Sequence, residues 1–290
     1  MQTAHRGWGS GLIGVIIFSG SLPATRVAVE GFSPLLLTSL RAVIAAVLGC
    51  GALLLLRQAR PRRGDLAALA IVALGVVIGF PWLTALALQQ ITSARSIMFI
   101  GLLPLATALF GVLRGGERPR PAFWLFSGTG SAIVGIYAWA HSAPGSLTGD
   151  LLMLAAIVIC GLGYAEGAAL SRRLGGWQVI CWALVLAAPV MAVLMVLTWP
   201  QNGAQDWAAT SLPVWLGLGY VSVFSMLIGF VFWNRGLALG GIAGVGQLQL
   251  LQPFFGLMLA GLVLGEPVEG SMIAVTALII ACVAGAKRCG

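Results

Sequence analysis

Long apolar runs separated by short polar stretches make up most of this 290-residue chain. An α-helix needs roughly 20 mostly apolar residues to cross the hydrocarbon core of a bilayer. Runs of about that length can be counted at 8–28, 33–56, 66–88, 92–113, 122–141, 150–171, 176–198, 212–235, 241–264 and 269–286. The pattern therefore predicts an all-α polytopic membrane protein with ten transmembrane helices.

One stretch of the sequence occurs twice at a fixed offset of 149 residues. Four positions match in register, and the pairs are Ala94 and Ala243, Pro104 and Pro253, Gly116 and Gly265, and Glu117 and Glu266. Self-similarity at one offset indicates a duplicated structural unit. The sequence thus predicts two halves, residues 1–145 and 146–290, within one integrated membrane domain.

The number of spans in each half predicts how the halves are related. Because each half contains five spans, an odd number, the second half enters the membrane inverted with respect to the first. Inverted repeats are common in secondary transporters, which bind substrate near the bilayer midplane between two related halves. We therefore expect a secondary transporter that works by alternating access.

The composition agrees with a chain that lies in lipid. Hydrophobic residues make up 59% and charged residues 8% of the sequence, whereas a soluble domain carries roughly 25% charged residues. The net charge of +8 could also indicate nucleic-acid binding, but the arginines lie in short clusters between the apolar runs. This placement is typical of residues that orient a membrane protein. We expect the lipid bilayer as a partner and no nucleic acid.

The basic residues also predict the orientation of the chain. When alternate loops are assigned to opposite sides, thirteen of the 16 Lys and Arg residues fall on the side of the N-terminus. Only Arg26, Arg41 and Arg95 fall on the other side. Because cytoplasmic loops carry the excess of Lys and Arg, the sequence predicts a multi-pass protein of the inner (cytoplasmic) membrane with both termini cytoplasmic.

No pattern in the sequence indicates catalysis, a metal or a cofactor. The GxSxG, HExxH and Walker-loop motifs are absent. The five cysteines form no CxxC pair, and His5 and His141 have no partner at metal-ligand spacing. We therefore expect no catalytic residues, no metal and no cofactor, and an intramembrane enzyme is a remote alternative.

Prolines within the apolar runs are candidates for hinge or cavity-shaping residues. Pro81, Pro104 and Pro253 lie inside predicted spans. Proline removes a backbone hydrogen bond and kinks a helix, and the freed carbonyl groups can line a cavity.

Polar and aromatic side chains in the same spans are the candidate substrate-binding residues. Amide groups exposed to lipid would lack hydrogen-bond partners, so they should face the bundle or a wet cavity. Hydrogen bonding between helices is the alternative role for them. The candidates are Trp82, Thr84, Tyr164, Asn234, Gln249 and Gln252.

Charged residues within or near the spans allow more than one interpretation. Glu166 is a weak candidate for a coupling residue, because intramembrane carboxylates are commonly functional, but an ion pair with Arg173 is equally open. Arg41 could extend to the outer interface or form a buried pair. Glu117 and Glu266 each precede a helix, whose free N–H groups an acid can cap.

The doubled pattern of alanine, proline and terminal Gly-Glu resembles the EamA-type repeat of the drug/metabolite transporter superfamily. Pro34, Arg41 and Ala45 in the second span are similar to the first-half pattern of the same family. The resemblance covers essentially the whole chain. It implies ten helices in two inverted five-helix halves and the export of small metabolites or drugs.

Within that family, the chain is most similar to YddG-type amino acid exporters, whose substrates include aromatic amino acids. The resemblance thus implies export of aromatic and other neutral amino acids or similar small metabolites. Multidrug efflux is the alternative within the same superfamily. The expected partners are a small-molecule substrate and the bilayer, and the sequence leaves a monomer and a homodimer equally open.

Overall fold

A computed structural model describes residues 2–91, 96, 99–140, 146–199, 210–252, 254–256, 258–259 and 270–289. Pro253 and Glu266, which the repeat singles out, lie outside these residues. The described part is helical and contains no β-strand, as the sequence predicts. Its α-helices are α1 (Gln2–Ser19), α2 (Ser21–Ala28), α3 (Pro34–Leu55), α4 (Leu66–Val72), α5 (Phe80–Ala87), α6 (Leu103–Gly115), α7 (Pro121–Ala140), α8 (Leu147–Leu174), α9 (Gly176–Thr198), α10 (Leu212–Gly219), α11 (Gly229–Gly240), α12 (Ile242–Gly246) and α13 (Gly270–Cys289).

Several of these helices join into longer apolar segments. Among the described residues, six segments are long and apolar enough to cross a membrane. They are His5–Ala28, Pro34–Leu55, Arg63–Ala87, Leu147–Leu174, Gly176–Thr198 and Leu212–Gly240. The protein is therefore a membrane protein that crosses the bilayer several times.

Two of the segments contain a stretch of π-helix that the sequence did not predict. Ala73–Gly79 joins α4 to α5, and Tyr220–Ile228 joins α10 to α11. When the first stretch is shifted by the 149-residue offset, it falls on 222–228, inside the second. Stretches of π-helix inside α-helices occur frequently at functional sites.

The predicted proline breaks lie where helices restart. Pro81 occupies the first turn of α5, directly after the π-helix. Pro104 occupies the first turn of α6, after a turn at residues 101–102. Proline is tolerated in the first turn because the N–H that it lacks would have no partner there.

Helices of the first half pack mainly on helices of the second half. The pairs that share the most contacts are α1 with α11, α3 with α9, α6 with α8, and α7 with α13. Glycines permit the closest approach, because a Cβ atom at Gly7 would lie 2.6 Å from the backbone nitrogen of Gly240. A Cβ atom at Gly236 would lie equally close, at 2.6 Å, to the backbone nitrogen of Gly11. The main buried core consequently contains residues from both halves.

Candidate functional site

A cavity lies inside the bundle between elements of both halves. It contains about 550 Å³ of space outside protein atoms, counting the part that opens outward. Its lining comprises Phe18, Ser21, Leu22, Thr25, Arg41, Val76, Phe80, Pro81, Thr84, Ile100, Leu103, Tyr164, Ser225, Phe230 and Gln252. Residues of both π-helical stretches, Val76 and Ser225, are among them.

Aromatic rings form one part of the cavity wall. The rings of Phe18 and Phe230 meet edge to face with centroids 5.0 Å apart. Tyr164 packs on Phe230 at 5.8 Å and on Trp233 at 5.4 Å. Edge-to-face contacts fix the ring orientations, so this wall is a preformed apolar surface.

Polar side chains from five segments of the chain form another part of the wall. The Ser225 hydroxyl accepts hydrogen bonds from Ser21 Oγ at 2.7 Å and from Arg41 Nη2 at 3.2 Å. Gln252 Nε2 donates to the carbonyl of Phe18 at 3.4 Å. The buried Thr84 hydroxyl has no hydrogen-bond partner among the described residues. The cavity therefore offers hydrogen-bonding groups beside an apolar wall.

The structure brings together four residues that the sequence singled out. Pro81, Thr84, Tyr164 and Gln252 all line the cavity. Gln249 is buried next to the Tyr164 hydroxyl but is not part of the lining.

Other candidates lie elsewhere in the structure. The Trp82 side chain is 37% exposed and does not line the cavity. Asn234 is buried outside the cavity, and its Nδ2 donates to the carbonyl of Gly176 at 3.4 Å. Pro104 follows the lining residue Leu103 without lining the cavity itself. The substrate-binding role predicted for Trp82 is therefore not one that this cavity provides.

The cavity also contains residues that sequence analysis did not propose as ligands. Arg41 belongs to the lining, and its side chain neither extends to an exposed interface nor pairs with a described carboxylate. In the sequence, Arg41 stood out as a charge eight residues after the start of a predicted span. Ser225, Phe18 and Phe230 carried no comparable signal, since serine and phenylalanine are common in apolar spans.

Three ion pairs connect helices at one end of the bundle, which we call the basic end. Here α6 and α8 finish and α4 and α12 begin. Arg172 pairs with Glu117 at 3.1 Å, Arg173 pairs with Asp65 at 2.6 Å, and Arg114 pairs with Glu166. The pair considered between Glu166 and Arg173 is therefore not formed, because each side chain binds a partner on another helix.

Glu117 caps a helix, but not the one expected. Its two carboxylate oxygens accept hydrogen bonds from the backbone N–H groups of Ile242 at 2.6 Å and Ala243 at 2.7 Å. These groups start α12 in the second half, whereas the sequence suggested the helix that follows Glu117 in the chain. Positive φ angles at Gly116 (69°) and Gly241 (91°) permit the tight turns that bring the carboxylate and these groups together.

Direct contacts join helices of the two halves at the basic end. Glu117 joins the end of α6 to the start of α12, and Gly246 of α12 packs near Thr107 of α6. Of the helices at the basic end, α6 lines the cavity through Leu103 at its start, and α8 lines it through Tyr164. Along α6, the buried residues Thr107, Ala108 and Gly111 lie between Leu103 and the basic end.

Comparison with known proteins gives consistent results. Residues 6–139 and 147–286 each match the model of the EamA-like transporter family. An uncharacterized transporter, YdeK, of Bacillus subtilis (strain 168) is 62% identical over 288 residues, which cover 99% of each chain. A probable terminal-alkyne amino-acid exporter of Streptantibioticus cattleyicolor is 26% identical over 254 residues, covering 87% of this chain and 83% of that one. A solved crystal structure that is 22% identical superposes with a TM-score of 0.77, covering 97% of this chain and 96% of the other.

Proposed function

The chain belongs to the EamA-like transporter family, and from that premise we propose that it exports amino acids, aromatic and other neutral ones, or similar small metabolites. The observation that carries the proposal is the cavity between the two halves. It combines an aromatic wall with hydrogen-bonding groups on Thr84, Ser225 and Gln252. An amino acid needs both, because its side chain is apolar and its charged ends require polar partners.

The similar exporter from Streptantibioticus supports the same class of substrate, since its name describes export of an amino acid. In our proposal, Phe18, Tyr164 and Phe230 contact the substrate side chain. Thr84 and Gln252 bind its polar end. Gln249 lies next to the Tyr164 hydroxyl, and neither of its amide atoms has a hydrogen-bond partner among the described residues. Asn234 connects helices outside the cavity, and Trp82 faces away from it.

The ten-helix, inverted-repeat architecture is also part of the proposal, with halves at 1–145 and 146–290. Its support is the two matched family regions, the π-helices at equivalent positions, and the way helices pair across the halves. The pairing of α1 with α11 has its repeat counterpart in the packing of α8 on the segment that contains α5.

Transport by alternating access is the mechanism that we propose for this arrangement. The basic end carries most of the arginines and is therefore placed on the cytoplasmic side of the inner membrane, as are both termini. We assign the described conformation to an outward state, because Glu117 joins α6 to α12 at that end. In this scheme Glu166 strengthens the cytoplasmic closure through Arg114 and is not the group that couples transport to an ion.

A counterflow experiment in liposomes tests the function. Purified protein in vesicles loaded with unlabelled phenylalanine should accumulate external labelled phenylalanine, which should be recovered chemically unchanged. Leucine should exchange as well, whereas a lipophilic cationic dye should not. Accumulation of the dye alone would favour multidrug efflux, and chemical conversion of the substrate would favour an enzyme.

A further inference from the structure

Arg41 is a buried charge in the interior of a membrane protein. It lies two turns into α3, and only 7% of its surface is exposed. A guanidinium group keeps its proton in proteins, and an ionised group without a partner is unfavourable away from water. An arginine in such a position needs a nearby group that compensates its charge.

The described part of the protein supplies no such group. Nη2 donates to the neutral Ser225 hydroxyl at 3.2 Å, and buried Nε has no partner. The described carboxylates of Asp65, Glu117 and Glu166 are each engaged by another arginine at the basic end. The cavity therefore carries the positive charge of Arg41, which no described carboxylate neutralises.

The guanidinium of Arg41 is held in place at the cavity wall. Ser225 is held by Ser21 as well as by Arg41, which fixes the guanidinium on one side. The Thr84 hydroxyl, also buried and without a partner, lines the same cavity. Two donors in need of an acceptor thus occupy one site, and the planar guanidinium matches a carboxylate in particular, because it can donate two parallel hydrogen bonds.

We propose that Arg41 and Thr84 form an anion subsite that binds the carboxylate of the transported molecule. This inference rests on the proposed function and narrows its substrate class to small carboxylates with an apolar body. A cation is disfavoured in the same cavity, since it would meet the unpaired guanidinium. Decarboxylated amines and carboxamides of transported compounds are therefore poor substrates.

The test measures binding of three probes to the purified, full-length protein: phenylalanine, its carboxamide, and 3-phenylpropionate, which has the carboxylate but no ammonium group. In the unmodified protein, the two carboxylates should bind on the order of 10- to 100-fold more tightly than the amide, as expected for loss of hydrogen bonds to a charged group. Arg41→Gln should remove that preference by weakening only the carboxylates. Arg41→Lys keeps the positive charge but lacks the planar pair of N–H donors, so this variant should retain part of the preference.

Arg26→Gln is the matched control, because Arg26 is exposed and donates to the backbone carbonyl of Leu88 at 2.8 Å, away from the cavity. Arg26→Gln should bind the two carboxylates more tightly than the amide by the same factor as the unmodified protein does. If Arg41→Gln does not fold, the preference of the unmodified protein and its reduction in Arg41→Lys decide the question.

The outcomes separate the inference from the proposed function. If phenylalanine is transported but acid and amide bind alike, or Arg41→Gln keeps the full preference, the anion subsite is wrong while amino acid export stands. If 3-phenylpropionate binds in an Arg41-dependent way and no amino acid is transported, the subsite stands and amino acid export fails. Absence of binding by any carboxylate probe overturns the subsite.

Discussion

Replacing Glu117 with alanine is expected to open the basic end of the bundle. The change removes the two hydrogen bonds to the N–H groups of Ile242 and Ala243. At about 1.5 kcal/mol for each bond to a charged acceptor, the loss is about 3 kcal/mol, or roughly a hundredfold in an equilibrium constant. The pair with Arg172 adds little, because that arginine is 42% exposed and screened by solvent.

A cysteine at Thr107 reports on this opening. Thr107 is fully buried in α6 and lies near Gly246 of α12. In a variant without native cysteines, an impermeant thiol reagent added to the cytoplasmic face of inverted vesicles should label it at least about tenfold faster when Glu117→Ala is present. Glu117→Gln should give an intermediate rate, and the exposed Glu30→Ala should have no effect. Equal rates in all four proteins would show that Glu117 does not hold this end closed.

Gly7→Ala is expected to lower the stability of the protein, although alanine is ordinarily the better helix former. The new Cβ would lie 2.6 and 2.8 Å from the backbone N and Cα atoms of Gly240, and a backbone cannot move aside as a side chain can. Overpacking of this kind costs about 1–3 kcal/mol. The midpoint of thermal unfolding in detergent should fall.

Gly9→Ala is the matched control on the same helix. A Cβ atom there meets nothing within 4 Å, so only helix propensity changes, which favours alanine by up to about 1 kcal/mol. Its unfolding midpoint should stay or rise. A fall of the same size in both variants would mean that α1 and α11 do not approach as closely as described.

The sequence predicts the membrane class well because bilayer thickness sets the length of the apolar runs. The sequence also indicates packing glycines: Gly7 and Gly11 are four residues apart, as are Gly236 and Gly240, and the two pairs meet each other in the structure. Helix crossings built on small residues have a simple sequence pattern, because residues four apart in the sequence lie on the same face of a helix.

It is harder to predict from the sequence which face of a span points to the cavity, because nearly every position is apolar. Trp82 and Thr84 were expected to act together, yet one is exposed and the other lines the cavity. Positions two apart on an α-helix differ by about 200° around the axis, so the spacing itself argued against a shared surface. Gln249 and Gln252 are compatible with one face, but the 3₁₀ conformation of Gln247–Leu251 changes the register between them.

Long-range polar contacts could not be predicted from one sequence. Glu117 caps a helix that starts 125 residues later, and Glu166 binds Arg114, 52 residues earlier. Local rules assign such carboxylates to the next helix or to the next arginine on the same face. Here the halves interlock, and partners from the other half are closer than neighbours in the chain.

The measurement that tests the central claim most directly is the labelling of Thr84→Cys in whole cells. In a variant without native cysteines, a small impermeant thiol reagent added outside should reach this position through the cavity, and phenylalanine should slow the reaction. Trp82→Cys, two residues away and outside the cavity, should show no protection by phenylalanine. Protection of Thr84→Cys alone is the predicted result. Labelling of Thr84→Cys only after lysis, or an unchanged rate with phenylalanine while phenylalanine is still transported, would contradict the account.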